Sequence, residues 1–151
     1  MTYNEQLQNL VDKYIKAGGT WPTTSHELAA WALKNKLWAP KKSEVISIFA
    51  EQLSRAMREE YIIDPQGRKV RAKHAARIKQ GVLWDDIRTA SLEHMRIAFQ
   101  QRRQQIIGDC KQLKLDVDSY NENKNDDKPI QLILDFTLDV AEAELEEEIL
   151  V

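Results

Sequence analysis

Asp64-Pro65-Gln66-Gly67, followed by Arg68-Lys69-Val70-Arg71-Ala72-Lys73-His74-Ala75-Ala76-Arg77-Ile78-Lys79, is the stretch on which the fold turns. Proline at the second position of the tetrad and glycine at its fourth specify a β-turn. The run after it carries six cations and no acid. Val70, Ala72 and His74 alternate with Arg71 and Lys73, the period of two that puts cations on one side of a strand and smaller groups on the other. Upstream, Tyr61-Ile62-Ile63 has strand-like composition. Downstream, Lys79-Gln80-Gly81 is a second turn, and Val82-Leu83-Trp84 returns as a short strand. A cationic β-hairpin is therefore expected.

The flanking sequence is helical. Leu7, Leu10, Val11, Tyr14 and Ile15 fall at helical spacing over residues 3–17, and Gly18-Gly19 stop that helix. Thr24 or Ser25 caps a second helix carrying Leu28, Ala29, Trp31, Ala32 and Leu33. Ser43 is expected to cap a third helix near 44–60, with a stripe of Val45, Phe49, Leu53 and Met57. A long helix follows over roughly 86–120. Leu92, Met95, Phe99, Arg102, Ile106, Cys110, Leu113, Val117 and Tyr120 step along it by three or four residues, nearly a heptad seam. Asp85-Asp86 are expected at its positive end. Gly108 lies in its interior, where close packing or a bend is expected. Residues 130–136 read as a strand or as the start of a last helix, ahead of an acidic end.

The expected fold class is mainly α with a small β-hairpin, a winged helix-turn-helix followed by a long helix. The domains read from sequence are a winged helix-turn-helix domain over 1–85, a long helix over 86–120, a polar linker over 121–129 and an acidic segment over 130–151. The order helix, helix, helix, hairpin carries a resemblance over Leu7 to Ala75. Glu27-Leu28-Ala29, Lys36-Leu37-Trp38, Leu53-Ser54-Arg55-Ala56-Met57-Arg58 and Gly67-Arg68-Lys69-Val70-Arg71 resemble helix-turn-helix domains of some restriction-associated proteins and of the bacterial RNA polymerase delta subunit. Ala98-Phe99-Gln100-Gln101-Arg102-Arg103-Gln104-Gln105-Ile106 looks like uncharacterised proteins of bacterial mobile elements. The resemblance implies a bacterial regulator or accessory factor.

Composition bounds the function. The chain has 151 residues, 42% hydrophobic and 30% charged, with a net charge of -2. That total conceals an asymmetry. Residues 129–151 carry seven acids (Asp135, Asp139, Glu142, Glu144, Glu146, Glu147 and Glu148) and no cation, opposite in sign to 68–79. No apolar run reaches the roughly 20 residues of a membrane span. The single cysteine, Cys110, forms no internal disulfide and fits a reducing cytoplasm. His26, His74 and His94 are far apart, Cys110 has no neighbour at metal-ligand spacing, and no Gly-rich phosphate loop occurs. The expectation is a non-enzymatic protein without metal or cofactor.

Lysine and arginine neutralise phosphates and release counterions, so the cationic run is read as a contact for double-stranded DNA. The expected wing contacts are Arg68, Lys69, Arg71, Lys73, Arg77 and Lys79. The expected helix contacts are Lys41, Lys42, Ser43, Ser47 and Arg55. The competing reading is a solvated hairpin whose cations pair with the chain's own acids. Leu92, Met95, Phe99, Arg102, Arg103, Ile106, Leu113 and Val117 are the expected interface for a homodimer or protein partner. The alternative function is a protein-binding module, a polymerase-associated factor or an inhibitor of a host defence complex. Trp21, Trp31, Trp38 and Trp84 are assigned to packing.

Overall fold

Thr2 opens the first helix, α1 (Tyr3–Lys16), with a reciprocal cap. Its hydroxyl accepts from the Glu5 amide at 3.1 Å, and the Glu5 carboxylate accepts from the Thr2 amide at 2.7 Å, satisfying two orphan donors of the first turn. Gly18 ends the helix at φ +82°, a conformation that costs glycine no Cβ clash. This computed structural model describes residues 1–124 and 127–150. The chain divides into two compact units, Met1–Ala56 and Met57–Val151. It is mainly α-helical with small antiparallel hairpins, the fold class expected from sequence.

In the first unit, Thr24 caps α2 (Ser25–Lys34), accepting from the Glu27 amide at 3.1 Å. The helix stops at Lys34, and Lys36 turns left-handed at φ 56°. Lys36-Leu37-Trp38 thus lies beyond the helix end. Tyr14 and Ala32 are the buried residues of α1 and α2. The Tyr14 ring meets Trp31 edge-on at 5.3 Å, and its hydroxyl donates to the Thr20 carbonyl at 2.9 Å. Trp38 Nε1 donates to the Tyr3 hydroxyl at 2.8 Å. Helix α3 (Val45–Arg58) follows a 3₁₀ turn at Lys42–Glu44. Ser43 sits inside that turn and does not cap α3, a correction to the sequence reading. The third-helix stripe is also not interior. Val45, Ile46, Phe49 and Leu53 are exposed.

The second unit begins within α3 and holds two hairpins and two helices. β1 (Tyr61–Ile63) pairs with β2 (Lys69–Arg71), with Tyr61 opposite Arg71 and Ile63 opposite Lys69. β3 (Lys73–Ile78) pairs with β4 (Gly81–Asp86), with His74 opposite Asp85 and Ala76 opposite Leu83. Both turns fall where the sequence places them. Ala72 links the hairpins: its amide donates to Glu60 at 3.0 Å, and its carbonyl accepts from Ile87 at 2.9 Å. Ala72, His74 and Ala76 alternate as buried positions, the period-two face of a strand packed on one side. That strand lies on α4 (Leu92–Asn123), whose buried residues are Met95 and Ala98.

Two polar clamps hold α4 to β3. His94 Nε2 donates to the His74 carbonyl at 2.9 Å, and the Gln101 amide group both donates to the Arg77 carbonyl and accepts from the Arg77 amide, each at 2.8 Å. Helix α4 starts at Leu92, six residues later than expected, because Asp85 and Asp86 complete β4. Its cap is Ser91, which accepts from the His94 amide at 3.1 Å. Gly108 lies within an unbroken helix and packs against nothing, since a Cβ there would meet open space. Residues 130–136 form neither strand nor helix, and α5 (Thr137–Leu150) begins after them. Asn121, expected in the linker, remains in α4 and bonds both the amide and the carbonyl of Ile130 at 2.9 Å. Asn125 and Asp126 of that linker, and Val151 of the acidic segment, lie outside the described residues. Among the described residues, no helix is long and apolar enough to cross a membrane.

Candidate nucleic-acid interface

Asp64 builds the turn that presents the cationic strands. Its Oδ1 accepts from the amides of Gln66 (3.0 Å) and Arg68 (2.7 Å), and its Oδ2 accepts from Arg68 Nε at 2.7 Å. Gly67 completes the turn at φ +88°, a conformation glycine adopts without strain. The Arg68 amide first, and the Arg68 guanidinium with it, hold the Asp64 carboxyl below its ordinary range. Arg68 therefore serves its own turn.

Lys73 is committed in the same way. Its ammonium reaches Glu60 at 3.1 Å and Asp86 at 3.2 Å, and these carboxylates, Glu60 foremost, raise its pKa. Asp86 also takes Arg88 as a forked partner, at 2.9 Å to Oδ1 and 2.6 Å to Oδ2. The Arg88 guanidinium and amide, joined by Lys73, hold Asp86 far below the usual carboxylate range. Two of the wing contacts expected from sequence, Arg68 and Lys73, are thus paired internally.

Four are not. Among the described residues, Lys69, Arg71, Arg77 and Lys79 form no ion pair. Lys69 stands over the Tyr61 ring, 4.9 Å from its centroid. Arg71 is half-buried, and its carbonyl accepts from His74 Nε2 at 2.8 Å, so its backbone is anchored while its guanidinium has no acid. Arg77 is pinned through its backbone by Gln101, and its side chain is exposed. Arg102 of α4 lies close enough to Arg71 to feel its charge. Partial desolvation, and then the Arg71 guanidinium, lower the Arg102 pKa.

No family model, curated protein or solved structure matches this chain. The functional reading therefore rests on its own side chains.

The other expected residues are distributed as follows. Lys41, Lys42, Ser43, Ser47 and Arg55 belong to the first unit; all are exposed, and none forms an ion pair among the described residues. Met95 is buried in its own unit, whereas Leu92, Phe99, Arg102, Arg103, Ile106 and Leu113 are exposed and Val117 is half-buried. His74 and His94 are structural donors. No group of three potential metal ligands occurs among the described residues. Sequence reading missed Arg88, whose role depends on β4 ending at Asp86, and Arg58, which lies 5.7 Å from the centroid of Trp84. An apolar cavity of about 430 Å³ between α1 and α2 was also missed. It is lined by Tyr3, Leu7, Leu28, Trp31, Leu33 and Trp38 among others.

The ion-pair network predicts an acid sensitivity. Asp64 and Asp86 have folded pKa values below their ordinary 3.8. Each stabilises the fold fully above that ordinary value, and the contribution is lost as pH falls through the lower folded value. Thermal melts monitored by Trp84 fluorescence, in a variant with the other tryptophans replaced by phenylalanine, should hold steady near neutral pH and decline below about pH 4. Asp64→Asn with Asp86→Asn should lower the neutral plateau and flatten the acid decline. A melt insensitive down to about pH 2 would contradict the network.

Proposed function

We propose that this chain is a non-enzymatic, double-stranded DNA-binding protein of winged-helix type. It acts in the bacterial cytoplasm as a regulator or accessory factor of a mobile element. The observation that carries the reading is the set Lys69, Arg71, Arg77, Lys79 and Arg102, cations without a carboxylate partner among the described residues, in a chain of net charge -2. A chain with an acidic excess has acids available for pairing, yet among the described residues these five pair with none while Arg68, Lys73 and Arg88 are paired.

The physical mechanism is phosphate neutralisation. Two antiparallel hairpins joined at Ala72 form the ribbon: β1–β2 carries Lys69 and Arg71, and β3–β4 carries Arg77 and, in its turn, Lys79. It lies along a groove edge, and each bound phosphate releases counterions. An arginine at the ribbon's edge enters a narrowed minor groove, where the negative potential is strongest. The winged-helix part of the proposal is supported by element order, three helices and then the hairpin. In it, Lys41, Lys42, Ser43, Ser47 and Arg55 form a second set of contacts. These are backbone contacts, so the proposal assigns affinity rather than base preference to the ribbon.

Anisotropy of a labelled duplex at about 50 mM and about 200 mM salt tests the reading. Four or more phosphate contacts predict an affinity loss on the order of 100-fold across that range. Absent binding, or binding indifferent to salt, overturns it. The exposed apolar face of α3, with Val45, Phe49 and Leu53, favours the second reading, a protein-docking module. A salt-resistant, stoichiometric protein complex without DNA binding is its signature.

A further inference from the structure

Leu92, Phe99, Ile106, Leu113 and Tyr120 recur every seven residues along α4 and are between 45% and 69% exposed. A line at that spacing stays on one face of a helix that supercoils with a partner. The helix has 32 residues, about 48 Å, whereas a six-residue strand spans only about 20 Å. β3 therefore covers only part of α4, through Met95, Ala98 and one edge of Phe99, whose ring meets His74 at 5.3 Å. At roughly half-exposure, the five side chains of the line offer on the order of 1,000 Å² over two copies, the threshold of a specific interface before any flanking residue is counted.

Charge sets the direction. Residues 92–107 carry Glu93, Arg96, Arg102 and Arg103, a net charge of +2. Residues 108–123 carry Asp109, Lys111, Lys114, Asp116, Asp118 and Glu122, a net charge of -2. Parallel pairing sets like halves together. Antiparallel pairing sets each half on its opposite.

We propose that α4 pairs antiparallel with α4 of a second copy about a two-fold axis at Ile106. In that register Ile106 meets itself, Phe99 faces Leu113 and Leu92 faces Tyr120. In that register the positive half of each α4 lies along the negative half of its partner. The interface is isologous, and each contact occurs twice. The proposal does not depend on DNA binding, and its test contains no nucleic acid.

Cysteine cross-linking reads the register directly, because Cys110 is the only native thiol. In a Cys110→Ser background, Ile106→Cys places two thiols at the axis, where a disulfide can close. Phe99→Cys alone places them about 21 Å apart along the helix, and forms none. Phe99→Cys with Leu113→Cys restores the bond. Sedimentation equilibrium of the unmodified chain should give twice its 17.5 kDa mass. Cross-linking by Phe99→Cys alone indicates a parallel pair and overturns the proposal. So does a monomeric mass at about 100 µM.

Discussion

Replacing Lys69, Arg71, Arg77 and Lys79 together with glutamine lowers duplex affinity by at least 100-fold at low salt and reduces the slope of log affinity against log salt by about 3.6. The slope follows from roughly 0.9 counterions released per phosphate contact. Among the described residues none of the four side chains holds an ion pair, so the substitution removes charge without orphaning a described acid. The one interaction disturbed is Lys69 over Tyr61, worth about 0.5–1 kcal/mol at an exposed site. Retained helicity and a melt lowered by no more than that one interaction accounts for should accompany the loss of binding. The control is Arg68→Gln with Lys73→Gln. It deprives Asp64 of its guanidinium partner and leaves Glu60 without its ammonium, so it destabilises the ribbon while changing the salt slope little. If the quadruple variant is folded and binds like the native chain, or if only the control loses binding, the unpaired cations are not the contact.

The difference between those two variants marks what the sequence could show. Asp64-Pro65-Gln66-Gly67 and the alternation after it contain the turn and the strand period within a dozen residues, so the hairpin was legible. Lys79-Gln80-Gly81 was legible for the same reason. Which cations stay open was not, because pairing depends on contacts distant in sequence. Lys73 meets Glu60 and Asp86, each thirteen residues away, through the register of two hairpins. The start of α4 was misplaced because Asp85-Asp86 satisfies two local rules at once, a strand end and a helix cap. The register with His74 and Lys73 assigns both residues to β4, and Ser91 takes the cap. The stripe of α3 was legible as amphipathic but not as exposed, since periodicity identifies an apolar face without identifying what covers it. The same limit applies to α4, where the seam from Leu92 to Tyr120 is visible in sequence and only the structure shows that β3 buries one of its members, Met95, with the neighbouring Ala98.

Tyr14→Ala should remove the cooperative melt of the first unit. That unit has a very small interior: Tyr14 and Ala32 are its buried residues. Tyr14 closes it in three ways. Its ring stacks edge-on against Trp31, its hydroxyl satisfies the Thr20 carbonyl, and its face lies where a side chain at position 19 would stand, so Gly19 is needed for the close approach. Truncating a buried aromatic costs about 3–5 kcal/mol, and the lost hydrogen bond adds about 1 kcal/mol. A unit with so little buried area has no reserve of that size. Tyr14→Phe keeps the ring and loses only the hydroxyl, so it should cost about 1 kcal/mol. Circular dichroism at 222 nm, with amide exchange over α1 and α2, distinguishes the two variants. The ribbon is built in the other unit. Duplex binding that survives Tyr14→Ala assigns the affinity to Lys69, Arg71, Arg77 and Lys79. Binding that falls with the unit shows that Lys41, Lys42 and Arg55 carry a comparable share, the division of labour a winged helix requires.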